Sequence, residues 1–143
     1  MKTIGVGILG FGTVGAGVAD GLLKHRDVMA KRLGVDIALK RIADLDITTD
    51  RGIAVPDGVL TTDAAAVIAD PDVQIVVETM GGVEPAYTFV KVMLEAGKHV
   101  TTSNKALVAA KGAELIALAK EKNVNFMFEA SVGGGIPIIR PLN

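Results

Sequence analysis

Cysteine and tryptophan are both absent from this chain of 143 residues, and the remaining aromatic residues make up only 3% of it. Without cysteine, the chain can form no disulfide, no thiolate metal site and no thiol nucleophile. Half of the residues are nevertheless apolar, so the core volume must come from Val, Ile, Leu and Ala. These side chains are typical of a parallel sheet that is buried on both faces.

The chain also lacks an excess of charge, because 15 basic residues nearly balance 16 acidic ones and leave a formal net charge of −1. Proteins that bind nucleic acid need a basic surface, so we expect no nucleic-acid partner. No apolar run approaches the ~18 residues of a membrane span, and the first such run is interrupted by glycine, unlike a signal peptide. We therefore expect no membrane partner and a cytoplasmic location.

A glycine-rich motif lies near the start of the chain, directly after the apolar segment 4–9. A segment with helical periodicity follows it, and this strand–turn–helix context is typical of a dinucleotide-binding fingerprint. The first glycine allows a tight turn, the second lets the backbone approach a pyrophosphate, and the third lets the helix pack against the strand. The helix N-terminus then favours the phosphates. The candidate cofactor-binding residues are Gly10, Phe11, Gly12, Thr13, Val14 and Gly15.

Strand and helix patterns alternate along the chain. Strands are predicted over 3–9, 35–43, 59–61, 73–78, 99–103 and 123–129. Helices are predicted over 13–33, between Asp63 and Asp70, and over 85–96 and 110–122, with a loop over 45–58. The first helix is expected to face the core with Val14, Val18 and Leu22. The alternation favours an α/β Rossmann fold, a doubly wound parallel sheet of about six strands in the order 3-2-1-4-5-6.

Asp44 follows the second predicted strand. An acid at this place accepts hydrogen bonds from the ribose hydroxyls of the cofactor and repels a 2′-phosphate. It lies 29 residues beyond Gly15 (44 − 15), more than the usual ~20, which an extended first helix explains. We therefore expect NAD to be preferred over NADP. Two alternatives remain open: Asp44 and Asp46 are solvated loop residues, or Lys40 and Arg41 soften the discrimination against a phosphate.

The ends of the fourth and fifth predicted strands supply further candidates. Glycines after a buried strand let backbone approach a flat ring or a ribose, and a lysine at the neighbouring strand end can bind a cofactor or substrate oxygen. An ordinary turn and a solvated lysine are the alternatives. The candidates for cofactor binding are Thr79, Met80, Gly81, Gly82, Ser103 and Lys105.

Glu129 lies at the end of the sixth predicted strand, beside glycine-rich backbone. A carboxylate in that setting can form an all-oxygen cavity for a hard cation. A glycine hinge between domains is the other interpretation, and the two are compatible.

Four segments together resemble homoserine dehydrogenase, and they cover nearly the whole chain in that family's order. They are the segments 8–15, 75–82, 100–109 and 128–137. The first is generic, the second and fourth are moderately specific, and the third, with Asn104 and Lys105, is highly specific. One departure is the triple glycine at 133–135, where the family often has an alanine.

The resemblance implies an NAD(P)-dependent oxidoreductase domain whose parent enzyme interconverts L-homoserine and L-aspartate 4-semialdehyde in threonine, methionine and isoleucine biosynthesis. By resemblance, Lys105 contacts the cofactor and takes part in catalysis. The family also binds a monovalent cation, expected to be sodium, at positions that match Glu129, Val132, Gly134 and Ile136.

The resemblance covers only the cofactor domain of that family. We therefore expect a dinucleotide-binding domain over 1–130 and, over 131–143, the start of a crossing into a catalytic and dimerisation domain. The substrate-binding acids and a second catalytic lysine would lie in that domain, so the chain alone is expected to bind cofactor without turnover, and the parent to be a homo-oligomer. The alternatives are a non-enzymatic NAD-binding regulatory module and the cofactor domain of another aldehyde or ketone reductase.

Overall fold

A six-stranded parallel sheet forms the centre of the computed structural model, which describes residues 1–128. The strand order is β3-β2-β1-β4-β5-β6, and every neighbouring pair is parallel. The predicted α/β fold and strand order are thereby confirmed. The strands are β1 (Thr3–Leu9), β2 (Asp36–Ala43), β3 (Leu60–Thr61), β4 (Ile75–Glu78), β5 (His99–Thr102) and β6 (Phe126–Met127).

Five helices connect the strands in the described part of the chain. They are α1 (Thr13–Lys24), α2 (Arg26–Leu33), α3 (Ala64–Ala69), α4 (Ala86–Glu95) and α5 (Lys105–Glu121). The crossover from β2 to β3 contains no helix, as predicted for 45–58. No helix within residues 1–128 is long and apolar enough to cross a membrane.

The single helix predicted over 13–33 is wrong, because the chain bends at His25 and forms α1 and α2. The sequence turns polar at this point, and α2 has no fully buried residue. An ion pair between Arg26 and Asp36, with N–O distances of 2.7 and 2.6 Å, ties α2 to the start of β2 instead.

The predicted core face of α1 is also wrong in part. Val14 is 54% exposed, and the buried positions are Gly15, Ala16 and Ala19. The helix packs closely on this side because Gly15 has no side chain. A Cβ on Gly15 would lie 1.9 Å from the carbonyl oxygen of Gly10.

Helix α5 begins at Lys105, five residues before the predicted start at 110. The side chain of Asn104 caps the helix, because its Oδ1 accepts a hydrogen bond from the backbone N–H of Leu107 at 3.1 Å. Asparagine is among the preferred residues at this position. The cap places Lys105 in the first turn of a helix rather than in a loop.

Apolar side chains cover both faces of the sheet. On one face, Val76 and Val100 pack with residues of α4 and α5, including Met93 and Leu115. On the other face, Ile8 and Ile42 belong to a smaller cluster that includes Phe11, Ala16 and Ala19. Because these strands are parallel, the carboxyl ends of β1, β2, β4 and β5 meet at one edge of the sheet.

Candidate dinucleotide site

The loop from β1 to α1 is shaped by two glycines that admit no side chain. Gly10 has a φ of +99°, and a Cβ on it would lie 2.8 Å from Thr79 Oγ1. A Cβ on Gly15 would collide with the backbone of Gly10. Both glycines are therefore required for the turn and for the packing of α1 against it.

Gly12 differs from Gly10 and Gly15 because a Cβ on it would meet no atom of the described residues within 4 Å. It is the N-cap of α1, it provides no side-chain cap, and the first turn of α1 contains no acidic residue. The N–H groups at a helix start carry partial positive charge and attract anions. Open space in front of an uncapped helix end fits the pyrophosphate of a dinucleotide.

The other fingerprint residues face in different directions. Phe11 is 3% exposed and its ring belongs to the core, so only its backbone can reach a ligand. Thr13 and Val14 lie exposed in the first turn of α1. The sequence grouped these residues correctly at one loop but could not separate the core ring from the exposed side chains.

Asp44 lies directly against the glycine-rich loop. Its Oδ2 accepts a hydrogen bond from the backbone N–H of Phe11 at 2.5 Å, and its Oδ1 accepts one from the N–H of Asp46 at 2.8 Å. The interpretation of Asp44 as a solvated loop residue is therefore wrong. A carboxylate has about four acceptor positions, so Asp44 retains acceptor capacity for a ligand hydroxyl.

Arg41, one of the two cations named from the sequence, is bound to other partners. Arg41 donates to Asp70 Oδ2 at 3.0 Å and to the carbonyl oxygen of Gly58 at 2.7 Å, so its guanidinium is already used. Arg51, which the sequence did not single out, lies 3.5 Å from Asp46 Oδ2. Its Nε is buried without a hydrogen-bond partner within residues 1–128.

Asp46 is held in its charged form. Its pKa lies well below the ordinary value, chiefly because the hydroxyl of Thr49 donates a hydrogen bond to it, with the backbone N–H groups of Thr49 and Thr48 adding to the effect. Together with Asp44, it makes the loop after β2 acidic.

A cleft of about 330 Å³ opens beside Asp44 at the carboxyl edge of the sheet. Its walls are mainly apolar, and Leu45 and Met80 on its rim are 93% and 36% exposed. The cleft is suited to a flat, largely apolar ring next to the Asp44 carboxylate. The wall residues include Leu9, Ala43, Asp44, Leu45, Thr62 and Phe89.

The loop after β4 supports the glycine-rich loop. The hydroxyl of Thr79 donates to the carbonyl oxygens of Leu9 and Gly10 at 3.0 and 3.1 Å. That hydroxyl therefore has a structural role, which the sequence did not predict. Gly81 and Gly82 follow with φ values of +79° and +75°, which other residues rarely adopt.

The end of β5 brings Lys105 to the same edge of the sheet. The N–H of Ser103 donates to the carbonyl oxygen of Glu78 at 3.1 Å, and exposed Lys105 follows the Asn104 cap. A cation in the first turn of a helix opposes the helix dipole at a cost of about 0.3–1 kcal/mol. Helix stability alone therefore does not favour a lysine here.

The sequence-based cation site lies outside the described residues, because Glu129, Val132, Gly134 and Ile136 all follow residue 128. Within 1–128, no group of three or more His, Asp or Glu side chains could hold a metal ion.

Comparison with known proteins agrees with this geometry. Residues 10–129 match the family model described as homoserine dehydrogenase, NAD binding domain. The homoserine dehydrogenase of Bacillus subtilis is 45% identical over 142 residues, which are 99% of this chain and 33% of that protein. The chain thus spans about a third of its curated relative.

Solved structures give the same result. The crystal structure of a homoserine dehydrogenase from Thiobacillus denitrificans superposes with a TM-score of 0.90 at 44% identity, over 99% of this chain and 33% of that one. A hyperthermophilic archaeal homoserine dehydrogenase mutant in complex with NADPH superposes with a TM-score of 0.71 at 28% identity, over 99% of this chain and 48% of that one. This chain belongs to the family of homoserine dehydrogenase NAD-binding domains.

Proposed function

We propose that this chain is the cofactor-binding part of an enzyme that interconverts L-homoserine and L-aspartate 4-semialdehyde. The observation that carries the proposal is the open space at Gly12 in front of the uncapped N-terminus of α1. Family membership adds the reaction class, since its relatives are named homoserine dehydrogenase. The bound dinucleotide supplies or accepts the hydride.

The cofactor would lie across the carboxyl edge of the sheet. Its pyrophosphate faces the N-terminus of α1 at Gly12, and its adenosine half extends towards Asp44 and the apolar cleft. Because a dinucleotide crosses the point where the strand order reverses, its nicotinamide half lies above β4 and β5. Gly81, Gly82, Ser103 and Lys105 are the candidates on that side.

NAD is the preferred cofactor in this proposal. A 2′-phosphate would stand beside Asp44 and Asp46, and the pKa of Asp46 is lowered, so it stays charged. Like charges brought together cost several kcal/mol at an interface, on the order of a hundredfold or more in affinity. Arg51 is the nearby cation that opposes this preference.

Lys105 would contact the nicotinamide side of the cofactor or the reacting oxygen of the substrate. Its exposure at the first turn of α5 leaves the ammonium accessible there. Within reach of the carbonyl oxygen of a semialdehyde, an ammonium stabilises the charge that develops on it and can deliver a proton.

The remaining parts of the proposal concern the whole enzyme. Residues 1–130 form the dinucleotide-binding domain, and 131–143 lead into a catalytic and dimerisation domain. That domain would supply the substrate-binding acids, and the monovalent cation would bind at Glu129, Val132, Gly134 and Ile136. The whole enzyme would be a homo-oligomer.

Titration of the purified chain with NADH, followed by the fluorescence of the bound nicotinamide, tests the proposed function. Saturable binding with one site per chain is expected, and unlabelled ADP-ribose should compete for it. A chain that is folded by circular dichroism and binds neither ligand would refute the proposal.

A further inference from the structure

A fully buried carboxylate lies beneath the nicotinamide side of the site. Glu78 ends β4 opposite Thr102 of β5, and both side chains are almost inaccessible to solvent. Glu78 Oε1 accepts a hydrogen bond from the Thr102 hydroxyl at 2.6 Å, and Oε2 accepts one from the backbone N–H of Met80 at 2.7 Å. No Lys or Arg within 1–128 forms an ion pair with Glu78.

Asn104 extends this network to two further segments. Its Nδ2 donates to the carbonyl oxygen of Gly82 at 2.6 Å and lies 3.4 Å from Glu78 Oε2. Its Oδ1 caps α5 through the N–H of Leu107, and its own N–H donates to Thr102 Oγ1 at 2.9 Å. One buried asparagine thus joins the 80–82 loop to the first turn of α5.

The charge of Glu78 determines the direction of these hydrogen bonds. An ionised carboxylate only accepts, so the Thr102 hydroxyl must donate to it and is left to accept from the N–H of Asn104. In a glutamine at this position the amide nitrogen replaces one acceptor oxygen, so either the Thr102 hydroxyl must turn to accept from it or the Met80 N–H loses its partner. The positive end of the α5 dipole, which starts at this network, favours the buried negative charge.

A buried charge is costly unless several donors satisfy it. The pairing of two parallel strands needs only backbone groups, so β4 and β5 could be joined without a buried carboxylate. Two partners of Glu78, the Met80 N–H and Asn104, instead lie in the two segments that carry Gly82 and Lys105, and these segments face the ligand side of the sheet.

We propose that Glu78 is a positioning residue for the nicotinamide half of the cofactor. It does not touch the ligand. Through Thr102 and Asn104 it holds the 80–82 loop and the Lys105 end of α5 in one fixed arrangement. This inference rests on the proposed function, because it assigns the space above β4 and β5 to the nicotinamide.

Two ligands separate this role from a general contribution to stability. NADH occupies both halves of the site, whereas ADP-ribose lacks the nicotinamide. In the Glu78→Gln variant, the 80–82 loop and the first turn of α5 lose their fixed arrangement, so NADH should bind roughly tenfold more weakly while the affinity for ADP-ribose stays within about twofold. Asn104→Ser, which keeps a capping hydroxyl but loses the bond to Gly82, should show the same selective loss.

Lys98→Met is the matched control. Lys98 is buried like Glu78 and Asn104, and its ammonium donates to the carbonyl oxygens of Asp70 and Val73 at 2.8 and 2.7 Å. It differs in position, because it precedes β5 and so lies at the opposite edge of the sheet. Its replacement should lower the melting temperature and leave both ligand affinities unchanged.

The outcomes are distinct. A parent chain that binds neither ligand would refute the proposed function and this inference together. If the parent binds both, equal losses of NADH and ADP-ribose in the folded variants, or no loss of NADH, would overturn the role of Glu78 alone. Should Glu78→Gln fail to fold, the Asn104→Ser variant decides the question.

Discussion

The carboxylate of Asp44 accepts a hydrogen bond from the backbone N–H of Phe11 at 2.5 Å. This contact joins the end of β2 to the glycine-rich loop, so the residue that we propose binds the adenosine ribose also fixes the loop that we propose faces the pyrophosphate. The two parts of the proposed adenosine site are therefore coupled through one side chain.

Replacing Asp44 by asparagine should weaken NADH binding and reduce the preference for NADH over NADPH. The amide oxygen of asparagine can accept from the Phe11 N–H, but the amide nitrogen cannot also accept from the Asp46 N–H. A hydrogen bond to a charged group, such as the one lost from the Asp46 N–H, is worth about 1.5–3 kcal/mol. Parallel calorimetric titrations of parent and variant with both cofactors measure the effect. Tighter binding of NADPH by the parent would contradict the predicted preference and would direct attention to Arg51, since Arg41 is already paired with Asp70.

Lys105→Ala should weaken NADH binding while slightly raising the stability of the chain. Removing a cation from the first turn of α5 relieves an unfavourable interaction with the helix dipole of about 0.3–1 kcal/mol. Lys120, in the last turn of the same helix, is the matched control: Lys120→Ala should lower stability by a similar amount and leave NADH binding unchanged. Equal NADH affinities for Lys105→Ala and the parent would remove Lys105 from the site.

The Asp70 carboxylate should make a pH-dependent contribution to stability. Its folded-state pKa is lowered, first by the hydrogen bond from the Asp72 N–H and further by Arg41. Because the folded state binds protons less readily, this contribution is fully present above the ordinary pKa of 3.8. It is lost as the pH falls through the lowered pKa.

Urea unfolding of the parent and Asp70→Asn at a series of pH values measures that contribution. The difference between their free energies of unfolding should be constant near neutral pH and shrink in acid. A difference that does not change between neutral and acidic pH would show that ionisation of Asp70 is not involved.

The 143-residue chain should bind cofactor but not oxidise homoserine. Reduction and oxidation require a hydride donor, a proton carrier and a held substrate in one arrangement. Residues 1–128 offer the cofactor site and Lys105 but no recognisable clamp for the amino-acid end of the substrate. Absorbance of NADH at saturating NAD and homoserine is the measurement, and steady NADH formation by the chain alone would contradict the expectation.

The sequence was sufficient for the fold because alternating apolar strands and helices, with a glycine fingerprint after the first strand, allow few topologies. It was insufficient at His25, where each flanking segment is helical by itself and only the packing of α1 and the pairing of Arg26 with Asp36 reveal the bend. The early start of α5 had a local signal, since Asn104 is a good N-cap.

The parts of the site that sequence reasoning missed depend on distant contacts. Glu78 resembles the polar end of an apolar strand, and its role appears only when Thr102 and Asn104 are brought against it. Arg51 lies in a loop without regular structure, and nothing in its local sequence predicts that it approaches Asp46. Thr79 was named as a ligand contact, whereas its hydroxyl is bonded to the Gly10 loop.

The most direct test of the account compares valine at two glycines of the same helix region. A Cβ at Gly12 would meet no atom within 4 Å among residues 1–128, and the same holds at Gly21 farther along α1. Because the space around the Cβ is open at both positions, we expect both variants to fold, but only Gly12→Val fills the space in front of the helix N-terminus. Gly12→Val is expected to stay folded by circular dichroism and to bind NADH at least about a hundredfold more weakly, whereas Gly21→Val should bind NADH like the parent. A folded Gly12→Val variant that binds NADH as tightly as the parent would place the cofactor elsewhere and contradict the central claim.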